Sequence, residues 1–300
     1  MKTYATGRTP KRHPAGDRFL MYGLLAPAVL VVLAVSVVPL VYTFYLSFQN
    51  YTLTRPGAAS FAGLQNYAAL LGDEAVRRAI LTTFVYTFSS VALSMAVGLV
   101  LAVVVNNVPR GKTFFRIALF TPMMLSSVVV GVIWRFLFNN ELGVLNYLLG
   151  CVGLGPVNWL GSGPMAMMSI VIADVWQWSS YTFILALAAL EAMNPEPVEA
   201  AIMDGAGPWQ TFWRIKMPSM VPVLEVALVF RLIWAFRSFD LIYALTKGGP
   251  GTSTETMALE VWRQAFTRYD IGLSSAISVL MFLLLMALSV VILRNAMKTE

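Results

Sequence analysis

The sequence predicts an all-α, polytopic membrane fold with six transmembrane helices, and three observations predict it. Apolar residues fill 58% of the 300 positions and charged residues only 12%, against roughly 45–50% and 25% in soluble domains. The apolar residues gather into runs of roughly 20 residues or more, the length that crosses a bilayer as a helix. Lys and Arg collect at the ends of those runs, where they favour the cytoplasmic face of a membrane.

The same facts exclude other classes. A net charge of +6 placed at span ends is a topology signal, so no nucleic-acid partner is expected. Cys151 is the only cysteine and His13 the only histidine. That leaves no internal disulfide, no thiolate or imidazole metal site and no histidine-based catalysis. No catalytic residue, metal or cofactor is expected on this chain.

Residues 1–18 carry Lys2, Arg8, Lys11, Arg12 and Arg18 among Gly and Pro, and predict a disordered basic tail. Residues 19–300 predict a single membrane domain. Its first span runs from Phe19 to about Phe48, too long for the apolar core of a cleaved signal and without a small-residue cleavage site, so an uncleaved anchor is expected. Pro39 should kink it. Residues 49–79 are polar and turn-rich and include FAGLQNY (Phe61–Tyr67).

A second span is predicted from about Ile80 to Val105 and a third from about Phe114 to Phe138. In the segment between them Gly111-Lys112-Thr113 mimics the end of a phosphate-binding loop. The upstream glycine that motif needs falls on Asn106, and no soluble strand precedes it, so nucleotide binding is not expected here. A Gly- and Pro-rich loop over 150–164 leads to a fourth span from about Met165 to Leu190. The fifth runs from about Met220 to Leu245, followed by LTKGGPG (Leu245–Gly251), and the sixth from about Leu273 to Leu293.

Six spans place both termini on one side. Eleven Lys and Arg outside the spans fall on that side, among them Arg110, Lys112, Arg214, Lys216, Arg294 and Lys298. Six fall on the other: Arg55, Arg77, Arg78, Lys247, Arg263 and Arg268. The excess predicts cytoplasmic termini.

Residues 199–222 form a polar island between two apolar runs, and the loop that joins the fourth and fifth spans is set at 191–219. Asn194 and Pro195 suit a helix cap and first turn, and Ala200 and Ala201 keep one helix face slim. Gly205 and Gly207 break the run before Pro208 opens a second helix, on which Trp209, Phe212, Trp213 and Ile215 form an apolar stripe. A slim helix with acids near its start is suited to lie in another protein's groove. The order Glu199-Ala200-Ala201, Asp204-Gly205-Ala206-Gly207, Ile215, Pro218 resembles the EAA signature of permease subunits of binding-protein-dependent ABC importers. FAGLQNY, the spacing Trp134, Phe138, Gly143, Asn146, Leu149 and the LTKGGP turn resemble the sugar and glycerol-phosphate branch of that family. The likeness covers about residues 20–295. The segment Met193-Asn194-Pro195-Glu196-Pro197 departs from the family's pattern, so a shifted start of the loop helix is expected.

Ionisable side chains at membrane depth are costly unless paired or facing water, so each is a pointer to a pathway. The sequence places Arg135, Asp174, Glu225, Arg231, Arg237 and Asp240 in or at the edge of predicted spans. Arg231, Trp234, Ala235 and Ser238 recur at i, i+3, i+4 and i+7 and share one helix face. Such a stripe suits a sugar, whose C–H faces stack on aromatic rings and whose hydroxyls need partners; equally it suits a packing stripe with Arg231 paired internally. Arg237 and Asp240, three apart, are expected to pair.

The resemblance implies the remainder. In the maltose-type permease the positions of Arg231, Trp234, Ala235 and Ser238 face the bound sugar, as do Gln177, Trp178 and Tyr181 on the fourth span. The loop at 191–219 would be the coupling helix, with Glu199, Ala200, Ala201, Asp204, Gly205 and Gly207 seated in a separate ATPase subunit. An external solute-binding protein would deliver a carbohydrate to this chain and a second permease, a distinct homologue. Two ATPase subunits would bind ATP and Mg. The expected site is the bacterial or archaeal plasma membrane. Competing readings are an anionic cargo, favoured by Arg231, and an ATP-independent channel or secondary carrier.

Overall fold

The computed structural model describes residues 15–55, 57 and 59–296. The expected basic tail falls outside the described residues over 1–14. Its last four positions, 15–18, instead begin the first helix, α1 (Ala15–Val32), and the last residues of the expected domain, 297–300, are also outside.

A π-helical turn, Leu33–Val37, joins α1 to α2 (Val38–Ser47). The predicted kink at Pro39 takes this form: proline has no N–H for the i−4 carbonyl and clashes with it, and a wider turn just ahead relieves both. Residues Tyr22–Ser47 still make one span by length and composition. A two-residue hairpin, β1 (Gln49–Asn50) with β2 (Ser60–Phe61), follows. It leads to α3 (Gln65–Gly72), where the FAGLQNY motif is structural. Asn66 donates to the carbonyls of Ser47 and Gln49, each at 2.9 Å, and the Tyr67 hydroxyl meets Ser47 Oγ at 2.7 Å.

The second span is α4 (Glu74–Asn106), capped by Asp73, whose carboxylate accepts from the Ala75 N–H at 2.8 Å. The expected third span is not one helix. It is α5 (Lys112–Phe120), a 3₁₀ turn at Thr121–Met124, and α6 (Ser127–Leu137), bent by 99°. Pro122 has no N–H to give the Ala118 carbonyl, and although Thr121 before it keeps α geometry, Leu125 and Ser126 are extended. Backbone groups freed at membrane depth must find partners, and the fourth span supplies them. Gln177 Nε2 donates to the Leu125 carbonyl at 2.9 Å and Ser180 Oγ to the Leu119 carbonyl at 2.6 Å.

The short α7 (Val144–Cys151) precedes the fourth span, α8 (Gly163–Ala192). Asn146 ties this loop together: its amide donates to the Asn140 and Val157 carbonyls, and its Oδ1 accepts from Trp159 Nε1 at 2.9 Å. The island contributes α9 (Glu196–Met203), α10 (Pro208–Thr211) and a π turn at Phe212–Lys216, continuous with α11 (Met217–Phe236). The fifth span therefore ends at Phe236, short of the expected Leu245. A break at residues 237–239 separates it from α12 (Asp240–Leu245). After the glycine-rich turn, α13 (Met257–Phe266) and the last span, α14 (Ile271–Ala296), complete the chain.

Among the described residues, five helices are long and apolar enough to cross a membrane, and the bent α5–α6 pair makes a sixth. α4 and α8 form the centre and touch backbone to backbone. A Cβ on Gly98 of α4 would sit 2.5 Å from the Ser179 carbonyl oxygen and 2.8 Å from the Phe183 nitrogen of α8. Small residues permit this closeness, on which helix association in lipid depends. Tyr86, Ile170, Leu232 and Leu241 fill the core between α4, α8, α11 and α12. The first span, by contrast, has none of its apolar window buried within the chain.

Candidate functional site

Two places gather the residues singled out in the sequence. The first is the helical hairpin at 191–219. Glu199 and Ala200 are exposed on α9, Ala201 is half-buried, and Asp204 and Gly205 are exposed at its end. Gly205 adopts φ +81°, the left-handed conformation that glycine takes without penalty. Its N–H donates to the Ile202 carbonyl and the Ala206 N–H to the Ala201 carbonyl, at 3.0 and 2.9 Å, which closes the helix in a Schellman turn. Gly207 then precedes α10 in extended geometry. The cap falls one residue after Asn194. Pro195 is the cap residue, while Asn194 accepts from the Glu196 N–H at 3.2 Å. Trp209 is 73% exposed and meets Trp213 edge to face at 5.6 Å.

The second place is a polar and aromatic cluster at the contact of α4, α8 and α11. Trp178 and Trp234 lie 4.9 Å apart between ring centroids, and Tyr181 meets Trp234 edge to face at 5.0 Å. All three rings are part-exposed. Arg231 does not share their exposure. It is 0% exposed, its guanidinium forms an ion pair with Asp174, and its Nε donates to Ser94 Oγ at 3.1 Å. The guanidinium carbon also lies 5.5 Å from the Trp178 ring centroid, within cation–π range.

Arg231 is thus buried and paired within this chain, the arrangement that its stripe allowed beside a sugar-facing one. An unpaired guanidinium at membrane depth is costly, and the bundle pairs it internally. Asp174 has a second partner, the Tyr86 hydroxyl at 2.7 Å, and that hydroxyl is 3.1 Å from Ser238 Oγ. A phenol has one proton, and the carboxylate is the stronger acceptor; Ser238 then donates to the phenol oxygen. Ala235 is buried, and Gln177 serves the α5–α6 break. Of the seven residues singled out, Trp178, Tyr181 and Trp234 form one part-exposed surface, Arg231 and Ser238 belong to the polar bridge behind it, and Gln177 and Ala235 are packed inside. Tyr86 and Ser94 were not singled out from the sequence. Nothing local marks a Tyr or Ser on an apolar helix as the partner of a charge far along the chain. Arg237 and Asp240 form no ion pair among the described residues; both are exposed at the end of α11 and the start of α12.

Glu255, on the loop after α12, and Glu260, in the first turn of α13, are 4% and 1% exposed. Arg263 Nε lies 3.0 Å from Glu255 Oε1, and Gln264 donates to Glu260 at 2.7 Å. Burial, reinforced by Glu260 and opposed by Arg263, pushes the Glu255 carboxyl up to about 7.

This architecture defines a polytopic helical membrane protein with an exposed helical hairpin between its fourth and fifth spans. The chain belongs to the family of binding-protein-dependent transport system inner membrane components, whose profile matches residues 94–298. It is 36% identical over 278 residues to a trehalose/maltose transport system permease protein of Thermococcus litoralis, covering 92% of each chain. It is 35% identical over 279 residues to a sulfoquinovosyl glycerol transport system permease protein of Agrobacterium fabrum, covering 93% of this chain and 91% of that one. In fold it matches a chain of a bacterial ABC transporter involved in the import of the acidic polysaccharide alginate, with TM-score 0.84, 22% identity, and 94% and 96% of the two chains covered. It is thus a multi-pass permease subunit of an ABC importer, a transport component and not itself an enzyme.

Proposed function

We propose that this permease moves a carbohydrate delivered by an external solute-binding protein, in a complex with a second permease and two ATPase subunits. The observation that carries the cargo class is the part-exposed surface of Trp178, Tyr181 and Trp234 backed by a neutralised ion pair. Flat aromatic faces without net charge suit the C–H faces of a sugar ring. Relatives named for trehalose/maltose and for sulfoquinovosyl glycerol support the class.

The hairpin at 191–219 is the docking element for an ATPase. Glu199 and Asp204 offer carboxylates to a basic cleft, and Gly205 sets the bend between the two short helices. ATP and Mg bind on those partners, and this chain carries no cofactor. The positive-charge excess puts both termini and the hairpin in the cytoplasm. The unburied first span leaves an apolar face for the second permease, a distinct homologue.

A second cargo reading, an anionic molecule, is favoured by relatives named for sn-glycerol-3-phosphate, and weakened by the engagement of Arg231 with Asp174. The test is uptake of labelled neutral and acidic oligosaccharides into vesicles holding the full complex and its binding protein, with and without ATP hydrolysis. ATP-dependent uptake of neutral sugars is expected. Uptake that persists with hydrolysis blocked would make the chain a channel or carrier, and preference for acidic cargo would favour the second reading.

A further inference from the structure

A groove beside the hairpin has no role in the reading above. It encloses about 820 Å³. One wall is the last third of α4, where Leu99, Val100, Val103 and Val104 share a face; the other is the hairpin, through Ile202, Trp209, Phe212 and Trp213. Lys216 is the one ionisable residue among those lining it, and Asn107 closes the end of the α4 wall. Among the described residues Lys216 has no acidic partner.

The depth of the groove says what fits. From Ala79 to Asn106, α4 carries no charged residue, so no ionic group keeps this wall out of hydrocarbon. At about 1.5 Å per residue, Ala96 to Asn107 rises about 16 Å, roughly half of an apolar layer about 30 Å thick. The groove is therefore one leaflet deep. Its length is apolar and its mouth carries a cation and two tryptophans, the residue types that settle at the headgroup level. No carboxylate lines it to repel an anion.

We propose that this groove is a binding site for an anionic phospholipid of the leaflet on the hairpin side. One acyl chain lies along Leu99, Val103 and Val104, and the phosphate rests against the Lys216 ammonium. Trp209 and Trp213 flank the headgroup. The lipid would join the end of α4 to the hairpin, which otherwise meet across open space at this point. The inference rests on the membrane-spanning fold and not on the cargo.

The test uses the full chain purified with the subunits that accompany it, reconstituted with phosphatidylethanolamine and phosphatidylglycerol, and native mass spectrometry of the lipid retained. One phosphatidylglycerol per chain is expected, held about fivefold more weakly in Lys216→Ala and normally in Lys216→Arg. Val103→Trp, which fills the apolar length, should abolish retention without lowering Tm. Equal retention in all four proteins would overturn the site. So would a photocrosslinker at Val103 that captures another protein chain instead of phospholipid, since the groove would then be a subunit contact.

Discussion

The guanidinium of Arg231 and the carboxylate of Asp174 are paired inside the bundle, with side chains only 1% and 2% exposed. Removing one member of such a pair leaves the other as an uncompensated buried charge, at about 3–5 kcal/mol. Arg231→Met and Asp174→Leu should each destabilise the chain by that order. The double variant should recover most of the loss, because two apolar side chains leave no charge behind. Thermal unfolding of the four proteins in detergent closes the cycle; additive losses would mean that the two groups do not act as a pair.

Gly98 makes a different kind of prediction. A Cβ here would strike two backbone atoms of α8 and the Thr182 Cβ, none of which can rotate away as the end of a side chain can. Gly98→Ala should cost about 1–3 kcal/mol from overpacking, and Gly98→Val more. Gly150 has open space around it, and Gly150→Ala should leave Tm unchanged.

At Gly205 there is room for a side chain but not the right backbone. A β-branched residue is penalised at φ +81°, by at least the ~1–2 kcal/mol of an ordinary left-handed residue, whereas asparagine tolerates the region. Gly205→Val should lower uptake per ATP hydrolysed in reconstituted vesicles, and Gly205→Asn should stay close to the parent. Equal coupling in both would remove the turn from the transmission of force.

The Glu255 carboxyl, raised from 4.5 to about 7, favours its neutral form in the folded chain. Its contribution to stability is full below pH 4.5 and is lost as pH rises through about 7. Tm should fall across that window, and Glu255→Gln, which is neutral throughout, should flatten the profile. A slope that survives the substitution would assign the titration elsewhere.

What the sequence revealed depended on how local the signal was. The uncharged runs place the spans, and Gly205 and Pro208 place the hairpin, because cap and turn chemistry acts within a few residues. The break at 121–126 lies inside what the sequence presents as one span from about Phe114 to Phe138. Its freed carbonyls are satisfied by Gln177 and Ser180, more than fifty positions away, and an unbroken apolar run reads as an unbroken helix. Arg231 was equally ambiguous. Its helix face is visible in the spacing, but whether that face meets water or Asp174 depends on the packing of α4 and α8.

The contact at Gly98 sets how a push would travel. Where two long helices meet main chain to main chain there is no layer of soft side chains to compress or slip. α8 hands directly into the hairpin, so a tug on α9 is expected to carry α4 along as one rigid lever. The aromatic surface and the far ends of both helices would swing with it, leaving the slack to be taken up at the break after Phe236.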